Sequence, residues 1–205
     1  MKDALASRPV PLPQLLLLVG LLALAVAPHL FNLSPWITGF FYLMTGLRVA
    51  AAFRPALLPG RWALLALTLL ALVNVVLNVG VAEGRRGGVA LLVAMLGLKL
   101  LELRSRRDLY MTVFLGYFVV VTQFLFAQGL PLAVYLAAVV LGLTAVLNAM
   151  NRADPAAPLV PAFGLALRLL GAAVPAMLVL FVLFPRLGGP LWGVAVQQAG
   201  AVTGM

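Results

Sequence analysis

The chain has 205 residues, of which 64% are hydrophobic and 9% are charged, and its mean hydropathy is +1.15. An average soluble domain is about 45–50% apolar and about 25% charged, so this composition excludes a water-soluble globule. The formal charge of +9 would suggest a nucleic-acid partner in a soluble protein, but here the basic residues separate apolar runs, and orientation in a lipid bilayer explains them without nucleic acid.

Seven apolar runs are candidates for transmembrane helices, since a hydrocarbon core about 30 Å thick needs about 20 helical residues. In chain order they are Gln14–Phe31, Trp36–Phe53, Trp62–Ala82, Gly87–Leu103, Leu109–Gln128, Leu130–Met150 and Val160–Phe184. Five are long enough, whereas the second and fourth are marginal and could be interfacial. Arg48 and Lys99 lie near one end of the marginal runs, where a long side chain can reach the headgroups. The sequence therefore predicts an all-α polytopic membrane protein with about seven transmembrane helices.

The first run resembles the apolar region of a secretory signal peptide, because Lys2 and Arg8 precede it. However, Pro28–Asn32 follows instead of a small-residue cleavage pattern, and six further runs come after it. We expect an uncleaved first span.

The distribution of basic residues predicts the orientation. With seven spans and the N-terminus in the cytoplasm, eleven Lys and Arg residues lie inside and three outside, which accounts for all 14. The three outside are Arg85, Arg86 and Arg186. The positive-inside rule favours this arrangement, with a multi-pass position in the cytoplasmic membrane and an extracytoplasmic C-terminus.

Few residues in the chain are suited to catalysis. It has no Cys, which excludes a disulfide framework, a thiolate metal site and a cysteine nucleophile within these residues. The single His29 is interpreted as an interfacial imidazole in contact with water, the alternative being a proton relay or ligand. One His without Cys or a nearby carboxylate makes no metal site. We predict no catalytic, cofactor-binding or metal-binding residue.

Three amides lie inside predicted spans. Asn74 and Asn78 share one face of the third span because they are four residues apart, and Gln123 lies in the fifth. Each can bond a neighbouring helix as packing glue, or line a substrate or ion path. No span carries an acidic residue near its centre, which argues against ion-coupled transport. Ala138 and Gly142 form a small-xxx-small pair, typical of close helix crossing.

The densest polar cluster is Lys99–Asp108, with the sequence KLLELRSRRD. Lys99 and Glu102 are three residues apart and can pair on one helix face. Arg104, Arg106 and Arg107 then face the cytoplasmic surface, where anionic lipids attract them. We interpret Lys99 and the three arginines as topology anchors, the alternative being docking of a cytoplasmic partner.

Two stretches resemble a known family. The first runs from Leu98–Asp108 through Phe114–Phe118 to Gln123–Phe126, and the second is Leu183–Gly193, with the sequence LFPRLGGPLWG. Together they resemble the N-terminal membrane region of bacterial TgpA-type transglutaminase-like proteins. The likeness covers essentially the whole chain in span order.

The resemblance implies a membrane bundle, residues 1–185, followed by the start of an extracytoplasmic segment, residues 186–205. In that family a transglutaminase-like domain with a Cys-His-Asp triad follows, so the triad is expected beyond Met205 and the chain itself is expected to be non-catalytic. Its partners would be the bilayer and its own downstream domain. The leading hypothesis is the anchor and platform of a protein-glutamine acyltransferase, and the alternative is a self-contained small polytopic protein, either a transporter or a scaffold.

Overall fold

A computed structural model of the chain describes residues 10–79, 84–152 and 159–183, with the backbone alone at 78 and 79. These described residues form seven α-helices and no strand. The helices are α1 (Leu12–Val26), α2 (Pro35–Phe53), α3 (Arg61–Val79), α4 (Gly84–Glu102), α5 (Arg106–Gln123), α6 (Leu130–Met150) and α7 (Val160–Leu183). Short 3₁₀ turns follow α1 at Ala27–Phe31 and α2 at Pro55–Leu57. Each predicted apolar run overlaps one helix, which confirms the all-helical prediction.

The helix starts follow from local residue chemistry. Proline stands in the first turn of α1, α2 and α6, where its missing N–H leaves no hydrogen bond unmade. Helix α5 begins at Arg106, three residues before the start of the predicted run. It ends at Gln123, five residues before the end of that run. The early end arises because residues 124–126 turn out of the helix, with Phe126 N donating to the Gln123 carbonyl at 3.0 Å.

Helix α1 forms the centre of the apolar core. Leu18, Leu22, Ala25 and Val26 are fully buried, and α1 packs on α2, α5 and α6. A Cβ added to Gly116 of α5 would lie 2.5 Å from Leu22 Cδ2. Glycine is therefore the residue that lets α5 approach α1 this closely.

Helices α2 and α4, which contain the two marginal runs, pack extensively on each other. A Cβ on Gly97 would lie 3.4 Å from the Cα of Phe41, in ordinary contact with the facing helix. Nine residues of α4 are buried, among them Val93, Leu96 and Leu100. Protein therefore covers much of the middle of α4, whereas the charged residues Arg85, Arg86 and Glu102 at its ends are exposed.

Four of the described helical segments are long and apolar enough to cross a membrane, judged by length and composition: Leu12–Phe31, Pro35–Phe53, Leu130–Met150 and Val160–Leu183. A shorter apolar helix covers Arg61–Leu77. Pro35–Phe53, which contains the marginal second run, is one of the four, whereas the described helices of the third, fourth and fifth runs are not among them. A count of seven spans stays a prediction.

The chain divides into two compact units, Met1–Arg168 and Leu169–Met205. The first holds α1–α6 and the start of α7, where Ala162 and Ala166 are buried. In the second unit the described residues 169–183 continue α7 through Pro175. The predicted segment 186–205 lies outside the described residues.

Candidate functional site at the basic end of the bundle

Contacts between helix ends show that successive helices of the first unit run in opposite directions, so their ends lie at two poles. We define the basic end as the pole where α2, α4 and α6 finish and α3, α5 and α7 start. Contacts that join these ends include Arg48 to Leu103, Arg106 to Met150 and Asn148 to Ala162. Among the described residues, the basic end carries Arg48, Arg54, Arg61, Lys99, Arg104, Arg106, Arg107 and Arg152, the opposite end carries Arg85 and Arg86, and Arg168 lies inside α7, eight residues after its start.

Arg48 does not reach the headgroup region as its position near a span end predicted. Its side chain is buried, with 7% of the residue exposed, and Nη2 donates to the Leu103 carbonyl at 2.9 Å. Leu103 directly follows α4, so the guanidinium satisfies one of the carbonyls that a helix C-terminus leaves unpaired. The positive charge also complements the dipole of α4. Arg48 therefore links α2 to the end of α4.

The predicted pairing of Lys99 with Glu102 is confirmed, with 2.8 Å between Lys99 Nζ and Glu102 Oε2. Both side chains are partly exposed, at 26% and 46%, so the ion pair contributes little to stability. Its main consequence is local, because it offsets the negative charge of Glu102 at the end of α4.

Ser105 and Asp108 form a capping box at the start of α5. Asp108 N–H donates to Ser105 Oγ at 3.3 Å, and Ser105 N–H donates to Asp108 Oδ2 at 3.1 Å. The S-x-x-D spacing was a usable signal for this cap, and the sequence reasoning missed it. Burial acts to raise the pKa of Asp108, but hydrogen bonds from the Ser105 hydroxyl and the backbone N–H groups of Arg104 and Ser105, together with the charge of Lys99, hold that pKa below the usual value.

The three predicted arginine anchors differ in their surroundings. Arg104 and Arg107 are exposed. Arg106 is half-buried, and its Nη1 donates to the carbonyl of Met150, the last residue of α6, at 3.0 Å. Nearby, Tyr110 donates to the side chain of Asn151. The Lys99–Asp108 cluster thus spans the end of α4 and the start of α5, with only residues 103–105 between the two helices. Arg106 links α5 to α6.

His29 lies at the opposite end and is fully buried, so the expected contact with water is wrong. Its Nε2 is 3.1 Å from the Val119 carbonyl of α5, and its ring meets Phe126 edge-on with centroids 6.0 Å apart. The guanidinium of Arg85 lies 5.1 Å from the centroid of the same Phe126 ring. His29 therefore links the turn after α1 to α5. Its partner, the Val119 carbonyl, lies 90 residues away in the sequence.

The three side-chain amides predicted to lie inside spans differ in their surroundings. Gln123 is 2% exposed, and its Oε1 accepts no hydrogen bond from the part of the chain that the structure describes. Asn74 is half-buried, and the side chain of Asn78 lies outside the described residues. Packing glue stays a prediction for all three. The predicted small-xxx-small pair has a direct counterpart at Gly142, where an added Cβ would overlap the side chain of Leu21.

Within residues 10–79, 84–152 and 159–183, no three His, Cys, Asp or Glu side chains gather as metal ligands. What the basic end offers is a set of guanidinium groups at helix ends, two of them bound to backbone carbonyls and others facing outward. Guanidinium groups are suited to hydrogen bonds with the free carbonyls of helix C-termini and with anions.

Comparison with known proteins identifies relatives. The family model of the TgpA N-terminal domain matches residues 17–205. The protein-glutamine gamma-glutamyltransferase of Pseudomonas aeruginosa strain PAO1 is 39% identical over 182 residues, and the match covers 89% of this chain but 27% of that relative. The chain therefore spans about a quarter of the length of the curated relative. No solved structure matches it.

Proposed function

Because the chain belongs to the family of TgpA N-terminal domains, we propose that it is the membrane anchor and platform of a bacterial transglutaminase-like protein. The relative's name supports this proposal, since that protein is called a protein-glutamine gamma-glutamyltransferase and is much longer than the matched region. In the proposed architecture residues 1–185 form the bundle, and residues 186–205 lead to an extracytoplasmic domain that holds the catalytic triad.

The observation that carries the orientation is the unequal charge of the two poles. Of the eleven Lys and Arg residues among the described residues, eight lie at the basic end, two lie at the opposite end, and Arg168 lies inside α7. The positive-inside rule favours a cytoplasmic position for such an end. An odd number of crossings from a cytoplasmic N-terminus then directs the segment after α7 outward, where an extracytoplasmic domain needs its attachment.

Reporter fusions test this orientation. Alkaline phosphatase is active outside the cytoplasmic membrane, and green fluorescent protein reports the inside. We expect fluorescence after Arg54, Ser105 and Arg152, and phosphatase activity after Glu83 and Gly189. Fluorescence without phosphatase activity at Gly189 would contradict the anchor proposal, because an even number of crossings cannot deliver the following domain outward. A reading frame that ends at Met205 would favour the self-contained polytopic alternative.

A charge substitution tests the physical reason for the orientation. Replacing the exposed pair Arg104→Gln and Arg107→Gln removes two positive charges and leaves the bond from Arg106 to Met150 in place, so loss of that bond cannot explain an effect. We expect mixed reporter signals after α4, whose charged ends make its insertion the most dependent on flanking residues. The matched control is Arg85→Gln with Arg86→Gln at the opposite end, which should keep the original topology. Equal disturbance by both pairs would contradict the charge argument.

A further inference from the structure

A cleft of about 520 Å³ opens at the basic end, between the start of α3 and the end of α4. Arg61, Thr68 and three leucines of α3 line one wall, and Glu102 and Arg104 line the other. Both arginines are exposed. The cleft has a cationic mouth above an apolar wall.

The net charge at the mouth is positive. Glu102 is paired with Lys99 at 2.8 Å, so its carboxylate is offset, whereas Arg61 and Arg104 add two positive charges to the lining. The Arg61 guanidinium lies 5.2 Å from the centroid of the Trp62 ring. Helix α3 begins at Arg61, and the positive end of its dipole adds to the attraction for an anion.

The apolar wall continues along α3. Leu65, Leu69, Leu72 and Val76 are spaced four, three and four residues apart and therefore lie on one helix face. Each is roughly half exposed, at 52%, 53%, 44% and 48%. Because an α-helix rises 1.5 Å per residue, this stripe extends about 22 Å below Arg61, which is comparable with the length of an acyl chain in one leaflet.

We infer that this cleft binds an anionic diacyl phospholipid, with the headgroup phosphate between Arg61 and Arg104 and one acyl chain along the stripe on α3. Guanidinium groups bind phosphate through paired N–H donors, and basic pockets between membrane helices hold anionic headgroups in this way. The apolar stripe favours a lipid over a free phosphate, since only a lipid covers both parts. The inference depends on the membrane placement proposed above, and the test separates the two.

The test uses the whole chain in bilayers that contain brominated lipids, which quench tryptophan on contact. A reporter variant carries Leu69→Trp as its only tryptophan, with Trp36, Trp62 and Trp192 replaced by Phe. We expect brominated phosphatidylglycerol to quench this reporter at a lower mole fraction than brominated phosphatidylcholine. If each arginine contributes the about 1 kcal/mol typical of a basic residue near an anionic surface, the preference is about fivefold for each arginine.

A charge-matched comparison assigns the preference to the cleft. Adding Arg61→Gln and Arg104→Gln should abolish the preference for phosphatidylglycerol over phosphatidylcholine. Arg54→Gln with Arg107→Gln removes the same charge from exposed residues outside the cleft and should keep most of that preference. Glycerol 3-phosphate at millimolar concentration should not displace the lipid. Displacement by it, or equal losses in both double variants, would overturn the inference.

Equal quenching by the two lipids would also overturn the lipid site while leaving the membrane placement intact. No quenching by either lipid would instead contradict the membrane placement of α3. Native mass spectrometry of the chain with its own tryptophans gives an independent readout: retained phosphatidylglycerol should fall at least fivefold with Arg61→Gln and Arg104→Gln, and an unchanged amount would refute the inference even if the reporter variant fails to fold.

Discussion

The close approach of α5 to α1 at Gly116 predicts a specific loss of stability for Gly116→Ala. The new Cβ would lie 2.5 Å from Leu22 Cδ2, whereas carbon atoms in favourable contact are about 3.5–4.0 Å apart. One of the two groups must therefore move by about 1 Å. Leu22 is fully buried and the added Cβ would also contact Leu143 at 3.5 Å, so little space exists for that movement.

Overpacking of this kind costs about 1–3 kcal/mol, and we expect about 2 kcal/mol for Gly116→Ala. The matched control is Gly20→Ala, the same change inside α1, where no atom lies within 4 Å of the added Cβ. That control should leave the free energy of unfolding unchanged or raise it by up to about 1 kcal/mol, because Ala favours helix. The measurement is reversible unfolding of the purified chain in mixed micelles, followed by circular dichroism.

A double-mutant cycle identifies the contact responsible. Leu22→Ala alone leaves a cavity and should cost about 2–5 kcal/mol. In the Leu22→Ala background, Gly116→Ala no longer meets the Leu22 methyl group, so its cost should disappear and the two changes should couple by about 1–2 kcal/mol. If Gly116→Ala is as stable as Gly20→Ala, or if the two changes are additive, the packing argument is refuted.

Three further outcomes are expected. Arg48→Ala should lower the free energy of unfolding by about 1–3 kcal/mol because it leaves the buried Leu103 carbonyl unpaired, whereas the exposed Arg54→Ala should change it by less than about 0.5 kcal/mol; equal effects would contradict the role of Arg48. The Asp108 carboxylate has a lowered pKa in the folded chain, so its contribution to stability is present above about pH 4 and is lost as the pH falls through the folded pKa; the stability gap between the unmodified chain and Asp108→Asn should narrow as the pH falls below about 4, and a constant gap would refute this. The purified chain should incorporate no amine into glutamine donors, because it contains no Cys nucleophile; activity that copurifies with it would contradict this.

The apolar runs, and the Pro and Gly residues that bound them, determined the positions of the helices. A run of apolar residues bounded by Pro and Gly forms a helix through contacts within about four residues, and for that reason each of the seven runs could be located from the sequence. The Lys99 and Glu102 pair was accessible in the same way, since its geometry follows from a spacing of three. The early end of α5 at Gln123 was missed because residues 124–126 are as apolar as the helix before them.

The roles of the polar side chains were decided by the tertiary structure. Arg48 bonds a carbonyl 55 residues away, Arg106 one 44 residues away, and His29 one 90 residues away. Whether each of them reaches the headgroups or points into the bundle depends on which helix packs against its face. Hydrophobic periodicity normally identifies the buried face of a helix. In so apolar a chain almost every helix face is hydrophobic, so periodicity does not identify which face packs on which neighbour. Close packing at glycines such as Gly97 and Gly116 therefore selects the partner, and the buried arginines and the histidine then find acceptors at the neighbouring helix ends.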